Sequence, residues 1–344
     1  MHSSHLNIYE PPPINMNGNL NYWKKIMDES KQDYLQKVLN SNRMVHIGDL
    51  VEKYKDKRRG VKEALEEKYG CDIYNPINSG SFAKSTAINS KFDLDLAVPF
   101  KKSSFSTLEK MFDDIYEFLL DKHQSEATVR KQKVSIGLEF YADPDGDVVS
   151  LDIVPGRELN QDQYNDDYKI NLYVNSRYGL IEEKSHLLTN INAQIEHIKA
   201  KAPEREIIRL LKVWKTSNSE PYKSFLLELL TIKAFQKESI SGSLWEKLKS
   251  VLNYIEDNVT KDNFTLKDPG NSGNNIIETL EPHERETLSN SMKLIIENID
   301  SNENNIKIYF PTNKEYEEAG LEQKGYGIKK ATLISVPPKT RFGH

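Results

Sequence analysis

Two aspartates alternate with apolar residues in Phe92-Asp93-Leu94-Asp95-Leu96, and this alternation constrains the fold more than any other stretch of the chain. A period of two reads as a β-strand, with both carboxylates on one face and Leu94 and Leu96 on the other. Side-by-side carboxylates repel unless a cation lies between them, so the pair is costly for folding and suited to magnesium. Just upstream, Ser79-Gly80-Ser81 forms a small turn. Without bulky side chains, its backbone amides and a hydroxyl can close on a phosphate. A third aspartate, Asp152, interrupts the apolar run Val148-Val149-Ser150-Leu151-Asp152-Ile153-Val154. Flanked by Leu151 and Ile153, it destabilises the strand unless a cation or partner compensates. An isolated Asp-x-Asp is commonly a surface coincidence. The three aspartates and the turn together point to a metal site at Asp93, Asp95 and Asp152 beside a phosphate cradle at Gly80 and Ser81, which suits nucleotidyl transfer.

Composition narrows the class. The 344 residues are long enough for two domains, and 37% hydrophobic with 29% charged residues describes a soluble globular chain. No long apolar run marks a membrane span, and Met1 to Asn7 lacks a secretory signal pattern. A single cysteine, Cys71, allows no internal disulfide, so a cytoplasmic location is expected. The net charge of -5 argues against coating nucleic acid through bulk electrostatics, and stable nucleic-acid binding is not expected. The eight histidines show no zinc-ligand spacing.

In chain order, an extended Pro-rich arm over the first twenty residues precedes helices at about 21–39 and 47–69. The second helix carries the basic run Lys53, Lys55, Lys57, Arg58 and Arg59, read as a solvated face. A short strand over 71–78 leads into the turn, and the carboxylate strand 92–100 is expected to stop at Pro99. A helix from Leu108 to about His123 follows. Strands 134–141 and 148–154 then form a hairpin around Asp143-Pro144-Asp145-Gly146. Beyond Lys169 helical periodicity dominates, at 185–201, 203–215, 221–237, 244–258 and 283–299, with Pro203 and Pro221 placed in first turns. Asp268 to Asn275 reads as a loop. The tail from Asn302 is expected to add a short strand around Ile306 and Ile308 and an extended end over 331–336. The expected fold is α+β: a mixed sheet with helices over residues 1–168, a helical lobe over 169–344, and a cleft between them.

Gly80-Ser81, Asp93-Leu94-Asp95 and Asp152 together resemble the active-site signature of the polymerase-β-like nucleotidyltransferases. Three further segments, Arg209 to Lys215, Pro221-Tyr222-Lys223-Ser224-Phe225-Leu226-Leu227-Glu228-Leu229-Leu230, and Asp268-Pro269 with Asn274-Asn275, resemble in order and spacing the oligoadenylate synthetases, the cyclic GMP-AMP synthase-like enzymes and the bacterial CD-NTases. This resemblance implies a polymerase-β-like fold and two Mg2+ ions, with Mn2+ as a substitute. It also assigns Lys212 to the substrate triphosphate. Ser224 lies in an expected first helical turn, where free amides and the helix dipole favour phosphate, and its bland role is capping. Arg205 and Arg209 share the Lys212 face. Tyr222 lies near the expected phosphate contact, while Trp23, Trp214 and Trp245 read as core.

The resemblance implies template-independent synthesis of a cyclic di- or oligonucleotide second messenger from NTPs, with pyrophosphate release. It further implies antiphage signalling, a product-binding effector protein and a regulatory protein partner. A linear oligonucleotide synthase or RNA-tailing enzyme is the alternative, and a non-catalytic nucleotide sensor is the third reading.

Overall fold

The computed structural model describes residues 30–175 and 186–317. The expected N-terminal arm, Trp23 and the extended end at 331–336 lie outside the described residues. Helix α1 (Lys31–Ser41) starts at Ser30, whose hydroxyl accepts from the Asp33 amide at 3.1 Å, a side-chain cap for one free helix amide. Helix α2 (Gly48–Tyr69) follows a single 3-10 turn.

The sheet half is then built from β1 (Ile77–Ser79), α3 (Gly80–Ala83), β2 (Leu94–Phe100), α4 (Leu108–His123), β3 (Ala127–Lys131), β4 (Ile136–Phe140), β5 (Ser150–Glu158), α5 (Tyr164–Asp167), β6 (Ile170–Tyr173) and β7 (His186–Thr189). Among the described residues these strands form one seven-stranded mixed sheet in the order β1-β2-β5-β4-β3, with β6 on β5 and β7 on β6. The pair β2–β5 is parallel, while β1–β2, β4–β5 and β3–β4 are antiparallel. The expected hairpin is therefore present as β4–β5.

Alternation decides which face of the sheet is dry. Leu94, Leu96, Val98 and Ile153 are buried with Val61 and Leu65 of α2 and Met111, Phe112 and Ile115 of α4. Asp95 and Asp152, offset by one residue, point to the opposite face.

The second half comprises α6 (Ile191–Lys199), α7 (Ala202–Ser217), α8 (Ser224–Lys237), α9 (Leu244–Asn258), the hairpin β8 (Lys267–Asp268) and β9 (Asn271–Asn275), α10 (Pro282–Ser301) and α11 (Ile306–Tyr309). Its core joins Leu211 and Trp214 of α7, Leu227 and Leu230 of α8, Leu248 and Leu252 of α9, and Met292 and Ile295 of α10. Helix α1 packs here too, through Leu35 and Val38, although it comes first in the chain.

Several sequence expectations are corrected. β2 begins at Leu94, so Asp93 stands just before the strand. Pro99 lies within β2: its carbonyl accepts from the Tyr74 amide at 2.8 Å past the end of β1, where a residue without an N–H is tolerated. The helix expected at 185–201 is β7 followed by α6, because His186 to Thr189 is a short run whose period does not separate strand from helix. Pro221 lies outside α8, which starts at Ser224. The loop at 268–275 is a hairpin, and the strand expected near Ile306 is the one-turn helix α11.

Candidate active site

The parallel register places Asp95 of β2 directly beside Asp152 of β5. Together with Asp93, their carboxylate oxygens lie within 4.8 Å of one another. Parallel neighbours share a face, so Asp95 and Asp152 converge, and Asp93, just before β2, comes within reach of both. Burial pushes the Asp95 carboxyl up to about 7, with Asp93 and Asp152 adding to the rise and Lys84 and Lys212 opposing it. Burial likewise raises Asp152 to about 6, with Asp93 adding to it and a hydrogen bond from Gln132 opposing it. Three hard oxygen donors that resist sharing negative charge are a fit to a divalent cation, which would relieve the repulsion.

Gly80 sits against this cluster with φ of 71°, and a Cβ there would collide with the Asp95 carboxylate. The turn is thus a glycine for two reasons, a left-handed backbone and the nearness of an acid. Ser81 follows in the single turn of α3, and its carbonyl accepts from the Thr86 amide at 2.9 Å. Gly80→Ala is expected to retain the fold but displace Asp95, lowering turnover about 100-fold. Comparing circular dichroism with the rate of pyrophosphate release checks this.

Lys212 is buried on α7, where its ammonium donates to the Thr86 carbonyl at 2.9 Å and the Thr86 hydroxyl at 3.1 Å. It therefore ties the helical half to the segment that closes the Gly80-Ser81 turn. Burial lowers its pKa to about 8, against the pull of Glu228. Ser224 is the first residue of α8, and its hydroxyl accepts from Lys215 at 3.2 Å. The pKa of Lys215 is lowered by burial and then by the charge of Lys91. Arg205 donates at 2.7 Å to the carbonyl of Lys199, the last residue of α6, and so serves the end of the preceding helix. Arg209 has its pKa lowered by burial. Tyr222 is buried and stacked on Trp214, with centroids 6.1 Å apart, so it is core rather than a platform for a base.

Sequence reasoning missed three residues. Lys84, just after α3, makes a buried ion pair with Glu228 of α8 at 2.9 Å and lies 4.5 Å from the centre of the Phe225 ring. Gln132 donates to Asp152 Oδ1 at 2.9 Å, while its own carbonyl accepts from the Ser135 hydroxyl at 2.8 Å. The space for that amide exists because Gly137 lies opposite Asp152 in the β4–β5 register; a Cβ at 137 would strike Gln132. Gln132→Ala is expected to cost about 10- to 100-fold in activity or metal affinity, with Gln132→Glu at least as damaging. A titration of divalent cation against the initial rate separates the two effects.

The second acidic cluster, Asp143, Asp145 and Asp147, already holds a cation of the chain's own. The Lys53 ammonium lies 2.6, 2.8 and 2.6 Å from the three carboxylates, so the basic run of α2 is partly a fastening for the β4–β5 turn.

A mixed sheet carries three convergent carboxylates beside a Gly-Ser turn and packs against a helical lobe, the arrangement expected from the nucleotidyltransferase motifs. No protein-family model matches the chain. Among curated proteins it is similar to the CBASS oligonucleotide cyclase CdnC of Escherichia coli strain KTE188, with 26% identity over 224 residues. That match covers 62% of this chain and 66% of the relative, just under two thirds of its length. Among solved structures, E. coli MS115-1 CdnC with ATP superposes with a TM-score of 0.62 at 21% identity, over 82% of this chain and 94% of that one. The same CdnC in complex with HORMA-deltaN gives a TM-score of 0.58 at 21% identity, over 80% and 92%. The Bradyrhizobium diazoefficiens CD-NTase CdnG in complex with GTP gives 0.61 at 13% identity, over 84% and 98%. The chain is similar to these CD-NTases and has their fold, so the resemblance and the α+β architecture drawn from the sequence are borne out.

Proposed function

We propose that this chain is a template-independent nucleotidyltransferase that builds a cyclic di- or oligonucleotide from NTPs and releases pyrophosphate. The observation that carries this reading is the side-by-side register of Asp95 and Asp152, with Asp93 in reach and Gly80 pressed against them. Asp93, Asp95 and Asp152 would hold Mg2+, or Mn2+ in its place, and the bound metal supplies charge neutralisation of the triphosphate and a lowered pKa for the attacking ribose hydroxyl. The chain's own residues do the positioning. The amides of the Gly80-Ser81 turn orient the donor phosphates, Lys212 keeps that turn closed through Thr86, and Lys215 with Ser224 presents positive charge at the α8 N-terminus. Gln132 fixes the Asp152 carboxylate so that its second oxygen stays available.

The relatives named as CBASS oligonucleotide cyclases support a role in antiphage signalling, and a product-binding effector protein is part of the proposal. The CdnC structure with HORMA-deltaN supports a regulatory protein partner. No helix among the described residues is long and apolar enough to cross a membrane.

The test is incubation with the four labelled NTPs, singly and in pairs, with Mg2+ and with Mn2+, followed by digestion and mass analysis. A product resistant to both phosphatase and single-strand nuclease is expected. A phosphatase-sensitive ladder would replace the ring with a linear product. Failure to consume any NTP, with candidate activators present, would leave a nucleotide sensor.

A further inference from the structure

The C-terminal half of α8, the β8–β9 hairpin and His197 of α6 surround a cavity of about 370 Å³ that shares no residue with the carboxylate triad or the Gly80-Ser81 turn. Three lysines line it: Lys233 and Lys237, one turn apart on α8, and Lys267 on β8. None of them makes an ion pair among the described residues. Lys233 donates to the Thr265 carbonyl and lies 4.7 Å from the centre of the Phe264 ring. The one carboxylate in the lining, Asp268, is buried and accepts from the Gln194 side chain at 3.0 Å and the Gly270 amide at 2.7 Å, so it is committed to the hairpin.

Like charges spaced by four on a helix destabilise it, and Lys267, exposed like Lys237, brings a third cation to the same cavity. The dipole at the C-terminus of α8 accounts for Lys237 and in part for Lys233. It does not account for Lys267, which comes from a different element, or for the cavity between them. The rest of the lining is mixed, with Leu229, Ile232, Leu266 and Pro269 apolar and His197, Gln236 and Ser272 polar. Cations together with apolar side chains are what a phosphate attached to a ring requires, and the volume falls at the small end of ligand pockets.

We propose that this cavity is a second anion site, separate from the catalytic one, which takes a phosphorylated small molecule of nucleotide size. The phosphate lies against Lys233, Lys237 and Lys267, and the ring against Ile232, Leu266 and Pro269. Leu229, which also lines the cavity, follows Glu228, so an occupant sits one residue from the buried ion pair beside the triad.

Photolabelling the full chain with 8-azido-ATP in EDTA, followed by peptide mapping, tests this. Label is expected on peptides containing 229–237 and 266–272. Inorganic tripolyphosphate should compete, and adenosine at the same concentration should not. Lys237→Glu with Lys267→Glu should lower labelling about tenfold or more, and the neutral pair Lys237→Gln with Lys267→Gln should lower it as well. Both variants should retain the wild-type melting temperature and pyrophosphate release. Label confined to 79–96 or 209–224, no label, no competition by tripolyphosphate, or full labelling of a folded double variant would each overturn the site. Asp93→Asn with Asp95→Asn should keep this labelling, so the catalytic reading and the second site fail independently.

Discussion

Replacing Asp93 and Asp95 together by asparagine is expected to abolish pyrophosphate release from NTPs, by about 1,000-fold or more, and to stabilise the metal-free fold at the same time. The two effects have one cause. Asp95 is forced beside Asp152 by the β2–β5 register and is held near Asp93, and burial together with these two neighbours lifts its carboxyl to about 7. An asparagine keeps the shape and removes the charge. The expected gain is about 1–2 kcal/mol, or roughly 2–4 °C in melting temperature measured in chelator. A residue kept only for structure would show loss of stability on substitution. A double variant that melts well below the wild type in EDTA, or that still turns over NTPs, would contradict this account.

The same arrangement sets a pH dependence with a definite sign. The unfolded carboxyl of Asp95 ionises near its usual value of 3.8, whereas the folded one holds its proton up to about 7. Between those values the folded state binds more protons, so this group makes the metal-free protein less stable as pH rises from about 4 to about 7. Asp152, raised to about 6, acts in the same direction over a narrower window. Divalent cation should reverse the trend at neutral pH by favouring the ionised carboxylates. Melting temperatures across pH 4–8, with EDTA and with Mg2+, should therefore diverge as pH rises, and parallel curves would count against the triad as the cation site.

What could be read from the chain alone followed from local rules with strong signals. Period-two alternation put Asp95 on one face of a strand and an apolar run put Asp152 in a second strand, and the β2–β5 pairing, with β4 on the far side of β5, brings the two together. Asp93 was legible as a ligand but not as a residue outside the strand, since alternation continues through Phe92. Gln132 carried no such signal: it stands just after β3, and its role depends on Gly137 leaving space across the β3–β4 hairpin, a pairing of two short strands. The pattern around His186 to Thr189 is too short for periodicity to separate strand from helix, so β7 needed its β6 partner to be recognised. Glu228 is different, because its signal was present. It is a lone carboxylate inside Leu226-Leu227-Glu228-Leu229-Leu230, and the reasoning that singled out Asp152 between Leu151 and Ile153 applies to it unchanged.

Breaking that buried pair is expected to cost more stability than any surface change in the protein. Lys84 and Glu228 are 9% and 5% exposed at the side chain, 2.9 Å apart, and they join the sheet half to the helical half. Glu228→Gln would leave the Lys84 ammonium without its counter-charge, close to Lys212, which is also buried. Lys84→Met would leave the carboxylate unpaired instead. Each single change should destabilise by about 3–5 kcal/mol, on the order of 10 °C in melting temperature. The double change Lys84→Met with Glu228→Leu should recover most of that loss, because the cost arises from an orphaned buried charge rather than from the absence of an attraction. Catalysis should not recover in parallel. Lys84 is one of the two cations that oppose the rise of the Asp95 carboxyl, so its removal drives that carboxyl further up. In the double variant the acid limb of the rate profile should therefore move to higher pH while the melting temperature returns toward wild type. Single variants that lose less than about 1 kcal/mol would place the pair in solvent. A double variant restored in both stability and pH profile would reduce Lys84 to a structural residue.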